Sequence, residues 1–173
     1  MSHPEVTQTV LEITPERSHP KVALLLWIAL ILGLGSGIGI FFGPDAWFRS
    51  LAKPTWNPPG WLFGPVWTTL YILIAISVWL VRKTPDANNA ERSFAMRLFW
   101  VQFALNLSWT PIFFGLHNPL FAFVIICILW ITAISTTLAF NRISSAAGYL
   151  MVPYLIWLSF ALILNGTIWL LNS

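Results

Sequence analysis

The sequence predicts an all-α membrane protein: a single bundle of five transmembrane helices, with a short helical, proline-rich loop between the first and second. Three observations predict it. Of 173 residues, 57% are hydrophobic and only 9% are charged, whereas soluble domains carry about 25% charged residues. Five apolar stretches, each long enough to cross a hydrocarbon layer of about 30 Å, are separated by short polar turns. No Asp, Glu, Lys or Arg falls in the central part of any of these stretches.

The elements follow in order. Residues 1–20 are polar, with Pro4, Pro15 and Pro20 and no apolar period, and are expected to form a disordered tail. They lack the basic, apolar and small-residue order of a signal peptide. Residues 21–173 form the bundle domain. Val22–Phe42 is the first span, and its Gly33/Gly37 and Gly35/Gly39 pairs permit close approach of another backbone, read here as a contact within one subunit. The loop 43–60 holds Asp45, placed to cap a short helix, with Trp47 and Phe48 expected to point back towards the pocket. Pro54, Pro58 and Pro59 stiffen the loop by fixing φ and removing donors. It presents Trp56 and Trp61. Trp61–Val81 is the second span, and its Trp67 and Tyr71 share a face at i, i+4. A polar loop, Thr84–Arg92, leads to the third span, Phe94–Leu116, which Pro111 should bend. His117-Asn118 is a tight turn, Pro119–Phe140 the fourth span, Asn141–Ser145 another turn, and Ala146–Leu171 the fifth span.

Few residues inside the spans carry chemistry. Gln102, Asn106, Trp109 and Phe113 form one stripe of the third span. Such amides serve either as interhelical bridges or as a ligand-facing wall; Gln102 reads as a bridge and Trp109 as wall. In the fifth span Trp157, Ala161, Leu164 and Asn165 share a face, where Ala161 leaves a gap beside a large ring. Cys127 is the single cysteine and reads as apolar packing. No metal-ligand cluster, phosphate cradle or nucleophile–histidine pair is present. The net charge of +3 is too small and scattered for nucleic-acid binding. The missing intramembrane charges argue against a proton-coupled pump or ion channel. Seven of the nine basic residues (Arg17, Lys21, Arg82, Lys83, Arg92, Arg97, Arg142) fall on one side, with Arg49 and Lys53 opposite. By the positive-inside rule the N-terminus is cytoplasmic and the first loop extracytoplasmic, in an inner or plasma membrane. What remains is a membrane pocket for a flat apolar molecule, built of aromatics and a few amides.

Three motifs carry a resemblance. Trp56-Asn57-Pro58-Pro59 followed by Gly64-Pro65-Val66-Trp67-Thr68-Thr69-Leu70-Tyr71 resembles the translocator protein family, also called the tryptophan-rich sensory protein or peripheral benzodiazepine receptor family. Leu105-Asn106-Leu107-Ser108-Trp109-Thr110-Pro111-Ile112-Phe113 is similar to its third-helix motif, and Pro153-Tyr154 through Trp157, Ala161 and Leu164-Asn165 to its fifth. The resemblance implies a pocket opening towards the first loop. It implies protoporphyrin IX or haem as ligand, with no obligatory cofactor, and membrane lipids and a second copy of the chain as partners. By motif position the implied ligand-binding residues are Trp47, Trp56, Asn57, Trp67, Tyr71, Asn106, Trp109, Trp157, Ala161 and Leu164. A receptor linked to tetrapyrrole homeostasis or stress signalling is the first reading. The alternatives are a light- or oxygen-dependent porphyrin-degrading enzyme and a passive tetrapyrrole or lipid transporter. The sequence departs from the family at Ile125, where many members carry Asp. Its fifth span also lacks the Tyr and basic residue of the family's sterol-recognition pattern.

Overall fold

The computed structural model describes residues 20–85 and 87–173; the expected tail of residues 1–20 lies outside them except for Pro20. Among the described residues there are six α-helices and no strands. They are α1 (Pro20–Phe41), α2 (Ala46–Ser50), α3 (Phe63–Lys83), α4 (Asn89–Thr110), α5 (Pro119–Ile143) and α6 (Ser145–Leu171). A 3₁₀ turn, Gly60–Leu62, leads into α3, and a π-helical turn, Pro111–Gly115, continues α4. α5 packs against both α4 and α6, α3 lies against α6, and α1 is laid on α3 at the outside.

Four of the five long helices are long and apolar enough to cross a membrane: α1, α3 with its leading turn, α5 and α6. The protein is therefore an integral membrane protein. α4, with 22 residues, does not meet that measure, because Glu91, Arg92, Arg97, Gln102 and Asn106 all lie on it. It is the polar spine of the bundle.

Several boundaries move from those expected, each for a local reason. α4 starts at Asn89 rather than Phe94, because Asn88 accepts from the Ala90 N–H at 2.9 Å and turns the polar residues into a capped first turn. Asn141–Ile143 stays helical; the break narrows to Ser144, whose hydroxyl accepts from Ala147 N–H at the start of α6. Pro111 has no N–H for the Leu107 carbonyl. The turn beyond it widens to π geometry, with Leu116 N–H reaching Pro111 O at 2.9 Å. The turn into α5 places His117 at φ 50°, a left-handed conformation, and Asn118 caps α5 through the Phe121 N–H at 2.9 Å.

Most of the core lies where α3, α4, α5 and α6 meet, with Phe99 stacked on Phe103 and Phe140 at 5.6 and 6.3 Å between centroids. A second cluster gathers Phe113, Ala122, Leu164 and Ile168 beneath α2, whose Trp47 and Phe48 pack on Phe113. Asp45 caps α2 through the Phe48 N–H, as expected. The first loop is also fastened to the far end of the chain. Asn172 accepts from Ala52 N–H and donates to Ala52 O, both at 2.9 Å.

The glycines of α1 do not act as two equivalent pairs. A Cβ at Gly33, Gly37 or Gly39 would meet nothing within 4 Å, whereas one at Gly35 would lie 2.2 Å from Tyr71 Cζ. Close approach occurs at one position, and a side chain rather than a backbone fills it. Gly35→Ala is therefore expected to destabilise the bundle by about 1–3 kcal/mol. Gly33→Ala should be neutral or stabilising, by up to about 1 kcal/mol from helix propensity. Thermal unfolding of the two variants in detergent checks the contrast.

Candidate functional site

Two adjoining spaces open where α1, α3 and α4 meet. The larger is a cleft of about 380 Å³, within the range of small-molecule sites. Gly35, Ser36, Gly39 and Ile40 of α1 form one side, with Phe42, Gly43 and Pro44 following them. Gly60, Phe63, Gly64, Trp67, Thr68 and Tyr71 form the other, and Trp109, Thr110 and Phe114 close the back. The absence of side chains at the glycines gives the slot its width. The smaller space is a recess of about 40 Å³, room on the scale of a water. It reaches inward past Trp67, Tyr71 and Trp109 to Asn106, Trp157 and Ala161. No charged residue lines either space, so apolar burial and ring contacts dominate what it can hold.

The rings are fixed by one another. Trp67 lies 5.3 Å from Tyr71, as the i, i+4 spacing requires. Trp109 stacks on Phe113 at 5.0 Å, and its indole N–H donates to Asn165 Oδ1 at 2.9 Å. Asn165 in turn donates to Pro119 O at 2.9 Å. Trp157 packs between Phe63 and Phe160 at 5.7 and 5.3 Å. Behind the wall runs a line of polar side chains. Tyr71 donates to Asn106 Oδ1 at 3.1 Å, Asn106 Nδ2 donates to the Tyr154 hydroxyl at 3.3 Å, and Tyr154 donates to Gln102 Oε1 at 2.9 Å. All four residues are buried. Three side-chain atoms nearby have no hydrogen-bond partner among the described residues: Gln102 Nε2, Trp157 Nε1 and Asn57 Oδ1. An unmet buried polar group costs roughly 1–3 kcal/mol. Trp157 lines the recess, and its indole N–H is buried without a partner.

Of the ten residues marked from the sequence, Trp67, Tyr71, Asn106, Trp109, Trp157 and Ala161 come together around the recess. Trp47, Trp56, Asn57 and Leu164 are not among the wall residues of either space. Trp47 stacks on His117 at 4.3 Å, Trp56 sets its edge to Phe160 at 5.9 Å, Asn57 donates to Pro58 O, and Leu164 is buried in the second cluster. Trp61 is 73% exposed and lines neither space. Sequence reasoning missed Phe63, Thr110 and the α1 side of the cleft. The glycines of α1 were visible, but their spacing alone did not tell which neighbour they admit. Gln102 and Tyr154 prove to belong to one line of hydrogen bonds.

One aspartate–histidine pair sits over the second cluster. Asp45 Oδ2 lies 2.9 Å from His117 Nε2, and His117 is also stacked on Trp47. The Phe48 N–H, and next the bond from His117, hold the Asp45 carboxyl below its ordinary value of 3.8. A carboxyl so depressed contributes stability that is complete above 3.8 and fades as pH falls through the lower, folded value. Pepsin cleavage within residues 43–60 should therefore accelerate below about pH 3.8. Asp45→Ala should be cleaved at the faster rate across the whole acid range.

Residues 23–170 match the family model described as the TspO/MBR family. The chain is 44% identical over 155 residues to the "Tryptophan-rich protein TspO" of Chlorobaculum tepidum, covering 86% of this chain and 97% of that protein. It is 42% identical over 135 residues to the "Protein CrtK" of Rhodobacter capsulatus, covering 78% and 83%. The "Translocator protein" of Homo sapiens is 35% identical over 151 residues, covering 83% and 89%. With a helical membrane bundle and a family model matched along nearly the whole described chain, this protein belongs to the TspO/MBR family.

Proposed function

We propose that the protein is a membrane receptor for a flat apolar ligand of the tetrapyrrole class, protoporphyrin IX or haem, bound in the cleft between α1 and α3. The observation that carries this reading is the cleft itself: about 380 Å³ of uncharged space with Trp67, Tyr71, Trp109 and Phe63 on its walls. A flat molecule entering between the glycines of α1 and the rings of α3 gains apolar burial at about 25 cal/mol per Å². Each aromatic contact adds about 0.5–1.5 kcal/mol. The ligand's bulk lies in the cleft, and only an edge group reaches the recess, whose wall includes Trp157 and Asn106. Binding of this kind reports tetrapyrrole level without requiring chemistry at the ligand.

Titration of the purified protein with protoporphyrin IX in the dark should quench tryptophan fluorescence saturably. Trp67→Ala combined with Trp157→Ala should weaken binding at least tenfold, the loss of about 1.4 kcal/mol. Unchanged quenching in that variant would overturn the reading. Repeating the titration in light distinguishes a receptor, whose porphyrin absorbance is conserved, from an enzyme that consumes it.

The described basic residues also separate by end. Lys21, Arg82, Lys83, Arg92, Arg97 and Arg142 lie at the end bearing the α1 N-terminus, and Arg49 and Lys53 lie in the first loop at the other. This asymmetry supports a cytoplasmic N-terminus with the cleft mouth extracytoplasmic. Protease added outside intact cells should then spare the connection between α3 and α4, and cleavage there would reverse the orientation.

A further inference from the structure

We propose that Gln102, which does not line the cleft, sets whether the Tyr71 hydroxyl meets a ligand as hydrogen-bond acceptor or as donor. The inference rests on the cleft being a ligand site. It starts from the direction of the buried line of hydrogen bonds. Tyr71 gives its proton to Asn106, Asn106 donates to Tyr154, and Tyr154 donates to Gln102 Oε1. Every proton points inward. The Tyr71 oxygen is thereby left with lone pairs, and its hydroxyl lies at the α1 side of the cleft, where a Cβ on Gly35 would come within 2.8 Å of it. In this state the wall accepts.

The line has a second self-consistent state. Carboxamide oxygen and nitrogen occupy nearly the same shape, so each amide can turn over within its site, and hydroxyl protons rotate freely. With both amides reversed, Gln102 donates to Tyr154, Tyr154 donates to Asn106, and Asn106 donates to Tyr71. Tyr71 then has its proton free for the cleft. All three bonds survive. The observed state leaves Gln102 Nε2 unpartnered in a residue with no exposed surface. The reversed state pairs one of the two Gln102 N–H groups and leaves its oxygen unpartnered, a fault that buried groups tolerate better than an unmet N–H. Neither direction is locked, and a ligand tips the line by what it offers Tyr71: a ring N–H selects the observed state, a carbonyl or pyridine-type nitrogen the reversed one. Gln102 acts through Tyr154 and Asn106 as a positioning residue.

Three flat tricyclic probes of similar shape test this: carbazole with a ring N–H, fluorenone with a carbonyl, and fluorene with neither. Equilibrium dialysis against the full-length protein in detergent measures each. Carbazole and fluorenone should both bind more tightly than fluorene, and Tyr71→Phe should bring both to the fluorene value. Gln102→Leu removes the acceptor for the Tyr154 proton and so favours the reversed state. The carbazole-to-fluorenone affinity ratio should fall roughly tenfold. A merely structural role would weaken all three probes in proportion, and an unchanged ratio overturns the proposal. A measurement without substitution guards against a variant that does not fold. The chain has two glutamines, Gln8 and Gln102, so glutamine-selective ¹⁵N labelling gives two side-chain amide signals. Saturation with fluorenone should move one of the two Gln102 side-chain amide protons downfield as it gains an acceptor, and carbazole should leave it in place. Equal response to both probes overturns the proposal. If fluorene binding is indifferent to Trp67→Ala, the cleft reading itself fails. If fluorene depends on Trp67 while the ratio stays fixed, only the role of Gln102 fails.

Discussion

In hydrocarbon there is no water to accept a stray hydrogen bond, and this constraint shapes α4 more than any other element. An amide facing lipid would be left unmet at a cost of several kcal/mol. Gln102 and Asn106 are therefore drawn to the interior, and there they find phenols from two other helices: Tyr71 on α3 and Tyr154 on α6. The same rule fastens Trp109 to Asn165 on α6, and Asn165 to the start of α5. The least apolar helix becomes the one to which α3 and α6 are pinned. The faces presented to the cleft follow from these bonds.

The cleft exists because α1 is held differently. It makes no buried polar bond to the rest of the bundle among the described residues; Ile31 is fully buried, Trp27 packs on Phe99, and Gly35 lies over Tyr71. Tyr71 fills the gap at Gly35, and the remaining glycines leave open slot. Hydrogen-bonded rings on α3 and α4 thus face the glycines of α1 across the slot.

Much of the fold was legible because its signals are coarse: apolar runs of spanning length and polar turns between them. The stripe of Asn106, Trp109 and Phe113, and that of Trp157 and Ala161, were also legible, since helical spacing alone places those residues on inward faces. Less legible was the start of α4, because Asn88 converts polar residues that look like loop into a capped turn. The aromatic rings of the first loop were hardest. Proline stiffness says that Trp56 and Trp61 are presented from a frame, but not towards which side. Trp56 settles edge-on to Phe160, while Trp61 turns outward. The orientation of loop rings depends on contacts with residues more than a hundred positions away, which no local pattern encodes.

The pairing of Asn172 with Ala52 has a practical corollary. Asn172 is part of the structure that sits over the bundle mouth, and it also bonds Ile168 O to end its own helix. An affinity handle or fluorescent partner fused directly to Ser173 would crowd that clasp and disturb the very cover it is used to observe. Placing such a fusion at the other terminus, or behind a generous spacer, keeps the cover as nature set it.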